Sequence, residues 1–359
     1  MSRNQRSAFR QSLHPVAGNP MKPPRKILAI QFKSLGDAIM VIPSLEAIRK
    51  HYPDCELHAL VPDSSAPLFQ HHPALTKVWV LPRVRGRARI KNSWPVLRAV
   101  RAERFDRSVD FCGNDRGAIL SLLSGAPVRL GVFQPGGFFG RRFCYTRAIP
   151  AAPQDRHETL RLAHILSAWD IPTPAALKLS LFTDPSLQPP ARALVPNGSI
   201  ICHTGAAQSK KEWPIEHWAA LHRIATAAGL QLVFSRGVGR REENSLERLK
   251  KILPEAKILP PLNIAEFIAV IKESRGVISN DTGPMHFAAA LGVPMVALFG
   301  PTSVLKWAPL SDRVRILRAE GCTCRRTVHD CESAVHCMTR IVPETVFQSL
   351  VEVLRTRHR

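Results

Sequence analysis

Apolar runs of strand length alternate with segments of helical period from Lys26 onward. Ile27-Leu28-Ala29-Ile30 is unbroken, as a strand buried on both faces should be. From Asp37 to Lys50 the period changes: Ala38, Val41, Ile42, Leu45 and Ile48 share one helical face, and Glu46, Arg49 and Lys50 share the other. Pro53 and Asp54 stop that helix, and strands are predicted at Leu57–Val61, Val78–Leu81 and Ser108–Phe111. Between Ile171 and Asn197 the rhythm stops, with prolines at 172, 174, 185, 189, 190 and 196. It restarts with strands at Ser199–His203, Leu230–Phe234, Val277–Ser279 and Met295–Phe299, and helices at Ile215–Ala228, Leu246–Ile252 and Ile264–Glu273. Strand–helix alternation of this kind makes parallel sheets with crossover helices, so the class is α/β in two halves. The predicted organisation is a basic flexible tail (1–24), a first domain (25–171), a Pro-rich linker (172–197), a second domain (198–342) and a C-terminal helix (343–359). That last helix starts at Pro343-Glu344, carries Val346, Leu350 and Leu354 on one face, and is expected to pack back across the first domain.

In such sheets ligands bind at the carboxyl ends of the strands, which makes the cleft between the halves the expected site. The first strand runs into Lys33-Ser34-Leu35-Gly36-Asp37. Asp37 then opens a helix on the cleft side, either as its cap or as a general base facing a substrate. The turn is neither G-x-G-x-x-G nor a Walker A loop, which argues against a nicotinamide enzyme or a P-loop NTPase. In the second half, Thr204 and Gly205 offer a hydroxyl and bare amides and Lys211 a positive charge, a set suited to a diphosphate or equally to a solvated loop. Ser279-Asn280-Asp281-Thr282-Gly283-Pro284-Met285-His286 reads as a strand end, a cap at Asp281 or Thr282, and a helix with Pro284 at its first position, its free amides aimed at the cleft. Asp281 there is placed to hold a sugar hydroxyl; His286 is structural unless the cleft reaches it. The loop Arg236–Gly239 precedes Glu242 and Glu243, which read as ribose ligands or as acids in a helix's first turn.

Composition narrows the partner. The 359 residues carry 50 Lys+Arg against 28 Asp+Glu, a net +22, so the natural partner is anionic. No apolar run reaches the ~18 residues of a membrane-spanning helix. The start of the chain has Arg3, Arg6, Arg10 and Lys22 but no apolar signal-peptide core, which points to the cytoplasm. Cys55, Cys112, Cys144 and Cys202 are scattered and read as reduced, buried thiols.

Taken together these residues resemble the ADP-heptose:lipopolysaccharide heptosyltransferases, glycosyltransferase family 9, from about Lys26 to about Val346. The resemblance rests on Ser34-Leu35-Gly36-Asp37, on Lys211-Glu212-Trp213-Pro214, and on Asp281-Thr282-Gly283 with His286 and Gly300-Pro301-Thr302. It implies the GT-B architecture: two Rossmann-like, doubly wound lobes facing a central cleft, the first binding acceptor and the second the nucleotide sugar. It implies Asp37 as the base in an inverting transfer of heptose from ADP-heptose to the Kdo/heptose inner core of lipopolysaccharide. The donor set it implies is Thr204, Gly205, Lys211, Glu242, Asp281, Thr282, Gly283 and His286, and the acceptor set Lys33, Ser34, Gly36, Arg85 and Arg87. No cofactor is required on this reading, because a lysine and helix amides can neutralise the leaving diphosphate. The expected location is the cytoplasmic face of the inner membrane, peripherally bound. Lys33 departs from the arginine more usual in the family, which changes what is offered to an acceptor anion. A family member using another nucleotide sugar or acceptor, or an epimerase on the same two-lobed fold, are the alternatives.

Arg83 to Arg107 holds nine basic residues against Glu103 and Asp106. The segment is expected to dock the phosphorylated core and the anionic inner leaflet. The same charge would suit a nucleic-acid-binding protein, but aromatics are sparse among the basic residues and no recognition motif is present. Cys322, Cys324, Cys331 and Cys337 supply enough thiols for zinc, yet lack the paired C-x₂-C knuckles of a structural site, and reduced thiols are the simpler expectation.

Overall fold

A computed structural model describes residues 22–82, 90–134, 136–173, 177–237, 239–322, 324, 330–331 and 335–355, with the backbone alone for 90–92. Arg83, Arg85, Arg87 and Arg89 of the basic segment, residues 1–21 of the tail and 356–359 of the last helix lie outside the described residues.

The first sheet contains β1 (Lys26–Ile30), β2 (Glu56–Pro62), β3 (Lys77–Leu81), β4 (Arg107–Asp110), β5 (Val128–Phe133) and β6 (Arg147–Pro150) in the order β3-β2-β1-β4-β5-β6. The second contains β7 (Ile200–His203), β8 (Leu232–Ser235), β9 (Lys257–Ile258), β10 (Gly276–Asn280), β11 (Met295–Phe299) and β12 (Val314–Arg318) in the order β12-β11-β10-β7-β8-β9. Every pairing is parallel. Counted from its own first strand, each sheet has the doubly wound Rossmann order, with switch points at β1/β4 and β7/β10. The central strands β1, β10 and β11 are buried on both faces, which is why β1 and β11 read as continuous apolar runs.

The helices are α1 (Leu35–Ile39), α2 (Ile42–His51), α3 (Ile90–Ala102), α4 (Asp115–Leu123), α5 (Glu158–Ala163), α6 (Gln188–Leu194), α7 (Ile215–Ala227), α8 (Arg240–Ile252), α9 (Ile264–Glu273), α10 (Gly283–Ala290), α11 (Val304–Trp307) and α12 (Pro343–Arg355). The helix expected over Asp37–Lys50 is two helices. Pro43 lacks the N–H that would donate to the Ile39 carbonyl, so the first stops at Ile39 and the second begins with Pro43 in its first turn. Within the Pro-rich stretch, Pro189 and Pro190 sit in the first turn of α6, where their missing donors cost nothing, and α6 packs on α9.

The closing helix does not cross to the first lobe. Val346, Leu350 and Val353 of α12 are buried in a cluster with Trp218, Val296, Leu298 and Met338, all of the second lobe, and α12 packs on α7 and β11. Its i, i+4, i+7 stripe marks one apolar face, and the open side of the second sheet takes it. A further apolar cluster is continuous between lobes: Ile39 and Met40 share it with Met285, Phe287 and Phe299, and α1 packs directly on α10.

Candidate functional site

The carboxyl ends of the two sheets enclose a cavity of about 1050 Å³. It brings together Ser34, Gly36 and Asp37 from the first lobe with Lys211, Glu242, Asp281, Thr282, Gly283 and His286 from the second. The lobes meet at its floor, where Gly36 and Gly283 face each other: a Cβ at Gly36 would lie 3.9 Å from the Gly283 Cα and from the His286 ring.

Asp37 is not the helix cap. Ser34 holds the N-cap position of α1, and Asp37 is the third helical residue, where the free amides of the first turn favour a carboxylate. The Ser34 hydroxyl donates to Asp37 Oδ2 at 2.5 Å. That bond orients the carboxylate and leaves Oδ1 for another partner.

Opposite, Lys211 Nζ donates to Asp281 Oδ2 at 2.8 Å; the two side chains are 20% and 6% exposed. Thr282 occupies the N-cap position of α10 and Gly283 and Pro284 its first turn, one residue later than expected for Pro284, so the amides of that turn open toward the cavity. Glu242 Oε2 accepts from the Gly239 amide at 3.1 Å, and Glu242 lies so close to Gly205 and Gly237 that a Cβ on either would fall within 2.6 Å of its carboxylate oxygens. A side chain at either position would displace the Glu242 carboxylate from where it now sits. Glu243 also lines the cavity but pairs with Arg236 at 2.9 Å.

Three predicted residues stand behind the wall rather than on it. Thr204 is buried and its hydroxyl donates to the Ser235 carbonyl at 3.3 Å. Gly205 contributes by admitting Glu242. Lys33 Nζ lies 3.8 Å from Oε1 of the buried Glu158, which also meets Arg161 at 2.5 Å and Lys306 at 3.7 Å. Arg85 and Arg87 fall outside the described residues.

Other residues of the wall were not anticipated. Ile258, Leu259, Pro260, Pro261, Leu262 and Phe267 form an apolar end to the cavity. His203 lines it too, buried, with Nδ1 3.0 Å from the Ser235 hydroxyl. Burial pushes the His203 imidazole down to about 4. Burial, then the positive charge of His157 and Lys211, pushes His286 down to about 3, and its Nδ1 is buried with no hydrogen-bond partner among the described residues. Both rings are neutral in the folded protein at pH 7, while in the unfolded chain they take protons as the pH falls through about 6.5. Stability is therefore full above about pH 6.5 and falls as the pH drops toward about 4, by up to about 1.4 kcal/mol per pH unit for each ring. Urea midpoints should decline between pH 7 and pH 5, and less steeply in His203→Gln and His286→Gln; an unchanged slope in both would assign the decline to other groups.

Near the C-terminus, Cys324 and Cys331 bring their sulfurs to 3.5 Å, and burial with a neighbouring Cys322 raises the Cys337 thiol. Among the described residues no group of three or more His, Cys, Asp or Glu side chains is arranged to hold a metal ion. Among them, too, no helix is long and apolar enough to cross a membrane.

Residues 94–337 match the family described as glycosyltransferase family 9 (heptosyltransferase). Lipooligosaccharide heptosyltransferase 2 of Haemophilus influenzae is 26% identical over 354 residues, covering 91% of this chain and 99% of that protein. Lipopolysaccharide heptosyltransferase 1 of Pseudomonas aeruginosa is 28% identical over 292 residues, covering 77% and 79%. Among solved structures, Escherichia coli ADP-heptose lipopolysaccharide heptosyltransferase II shares the fold at a TM-score of 0.74 and 21% identity, covering 92% of this chain and 98% of that one.

Proposed function

The chain belongs to glycosyltransferase family 9, and from that premise we propose that it transfers heptose from ADP-heptose to the Kdo/heptose inner core of lipopolysaccharide, with inversion at the anomeric carbon. The relatives named above are heptosyltransferases of lipopolysaccharide and lipooligosaccharide. The observation that carries the reading is one cavity holding a carboxylate from the first lobe across from a lysine and a helix N-terminus from the second.

On this reading Asp37 removes the proton from an acceptor hydroxyl, that oxygen forms a bond to the anomeric carbon, and the bond from that carbon to ADP breaks. Charge builds on the departing diphosphate, and Lys211 with the amides at Gly283 supplies the opposing potential. Asp281 and Thr282 hold the donor's sugar, Glu242 its ribose, and the apolar wall from Ile258 to Phe267 its adenine. Ser34 and Gly36 border the acceptor. Thr204, Gly205 and Lys33 act from behind these groups, shaping the loops that carry them. The partners are thus a nucleotide sugar and an anionic glycolipid, not nucleic acid, and the net charge of +22 suits a peripheral enzyme on the cytoplasmic face of the inner membrane.

The test is ADP release measured with ADP-heptose, with and without a Kdo-bearing lipid A core, and the anomeric configuration of the product by NMR. Release that requires the acceptor, with an inverted product, is expected. Acceptor-independent release would make the protein a hydrolase of its donor, and a retained configuration would remove Asp37 from the role of base.

A further inference from the structure

The loop between β5 and β6 displays aromatic side chains that no part of the proposed reaction uses. Phe139 is 102% exposed, Phe143 65% and Phe138 40%. A loose loop would let such residues fold back, but this one is fixed. Gly136, Gly137 and Gly140 hold φ of 90°, 85° and 93°, a region that disfavours side chains. Asp115 on α4 accepts from the Phe138 amide at 3.3 Å and from Arg141 at 3.2 Å, and Arg141 also donates to the Gln134 carbonyl at 2.5 Å. Phe138, Phe139 and Phe143 border a groove of about 290 Å³ on the surface. Beside it, α4 packs on the turn Arg141–Cys144 and adds Ile119 and Leu122, 44% and 46% exposed.

The charges around this apolar surface are positive. Arg116 and Arg142 are exposed, the Arg142 guanidinium lies 4.7 Å from the centre of the Phe143 ring, and Asp115 is engaged with Arg141. An apolar patch flanked by exposed cations is complementary to a surface that is apolar within and anionic outside. Aliphatic Ile119 and Leu122 suit hydrocarbon and offer a nucleobase nothing to stack on.

Position agrees with this. The loop leaves the carboxyl end of β5, and β5 stands two strands from β1, about 10 Å away across the same sheet edge that carries Asp37. We propose that residues 136–143, with Ile119 and Leu122 of α4, dock the enzyme on an anionic phospholipid bilayer, the phenylalanines entering the interface and the arginines meeting lipid phosphates. The inference rests on the proposed acceptor in one respect: a bilayer held at this edge presents a membrane-anchored sugar to Asp37.

The experiment is co-sedimentation of the full chain with phosphatidylglycerol/phosphatidylethanolamine vesicles and with phosphatidylcholine vesicles. Wild type should bind the anionic vesicles, and Phe139→Ser/Phe143→Ser should weaken that binding about 30-fold or more. Arg142→Glu should weaken it less and remove part of its salt dependence. The emission that Phe139→Trp adds to that of the six native tryptophans should be quenched by brominated lipid beyond any quenching seen in wild type, which reports insertion at this position. Transfer to a deacylated, water-soluble core should survive in the double variant, which shows that it is folded. Undiminished vesicle binding by the double variant, or no quenching of Phe139→Trp beyond that of wild type, overturns the proposal. So does a wild-type dimer, or RNA binding, that the double variant loses, because the patch would then belong to a second copy or to nucleic acid. Vesicle binding that follows this pattern in a protein inactive on every core acceptor would sink the heptosyl reading and leave the docking surface standing.

Discussion

Asp37→Asn is expected to lower kcat by about 10²–10⁴-fold, the range a positioned general base supplies, while ADP affinity stays within about two-fold of wild type. The substitution keeps size and keeps an oxygen for the Ser34 hydroxyl, so the turn at 34–37 survives. What it removes is the charge that accepts a proton. The donor groups all stand on the second lobe, and the shared floor at Gly36 and Gly283 involves backbone and the His286 ring rather than Asp37. A steady-state assay of ADP release with calorimetric titration of ADP separates the two effects. If kcat holds and only stability moves, Asp37 serves α1 alone, by a few tenths of a kcal/mol at its N-terminus. If ADP binding falls with kcat, the carboxylate reaches the donor and the assignment of sides is wrong.

The turn at Ser34–Asp37 was legible because a buried strand, a small turn and a change of period leave little freedom in where the next side chains point. The same holds for Asp281–Gly283 after β10. What escaped reading depended on partners distant in sequence. The periodicity of 38–48 runs unbroken through Pro43 because α1 and α2 bury their apolar residues on a common side, so the break is silent in the pattern. The stripe on α12 says that one face is buried but not against which lobe. Pro260 and Pro261 read as loop punctuation, yet they complete an apolar wall with Phe267 from α9. Thr204 looked like an exposed hydroxyl because nothing local reveals that the Ser235 carbonyl waits on the neighbouring strand. Lys33 offered a cation for an anionic acceptor, but Glu158, buried among Arg161 and Lys306, lies beside it. In each case the fold, and not the local pattern, decides what the group touches.

Lys211→Met should lower kcat/KM by about 10³-fold, more than the loss of one charged hydrogen bond explains. The excess comes from Asp281. Its carboxylate is 6% exposed and 2.8 Å from the Lys211 ammonium, so removing the lysine leaves a buried, unpaired negative charge beside the place proposed for the diphosphate. Such a charge is costly alone and repels the donor. Donor affinity and kcat should therefore fall together. Adding Asp281→Asn to Lys211→Met removes the repulsion, and ADP affinity should recover by about ten-fold over the single variant, roughly 1.4 kcal/mol, while kcat stays low. The split arises because the recovered binding is present before and during reaction alike, whereas the ammonium is needed as charge develops on the leaving group. Lys211→Arg should not restore the rate, since its broad planar fork does not reproduce the compact point charge of an ammonium. A double variant no better than Lys211→Met in ADP affinity would show that Asp281 does not face the diphosphate, and a Lys211→Met enzyme within about three-fold of wild type in kcat/KM would take the leaving-group role from Lys211 and give it to the amides of α10 alone.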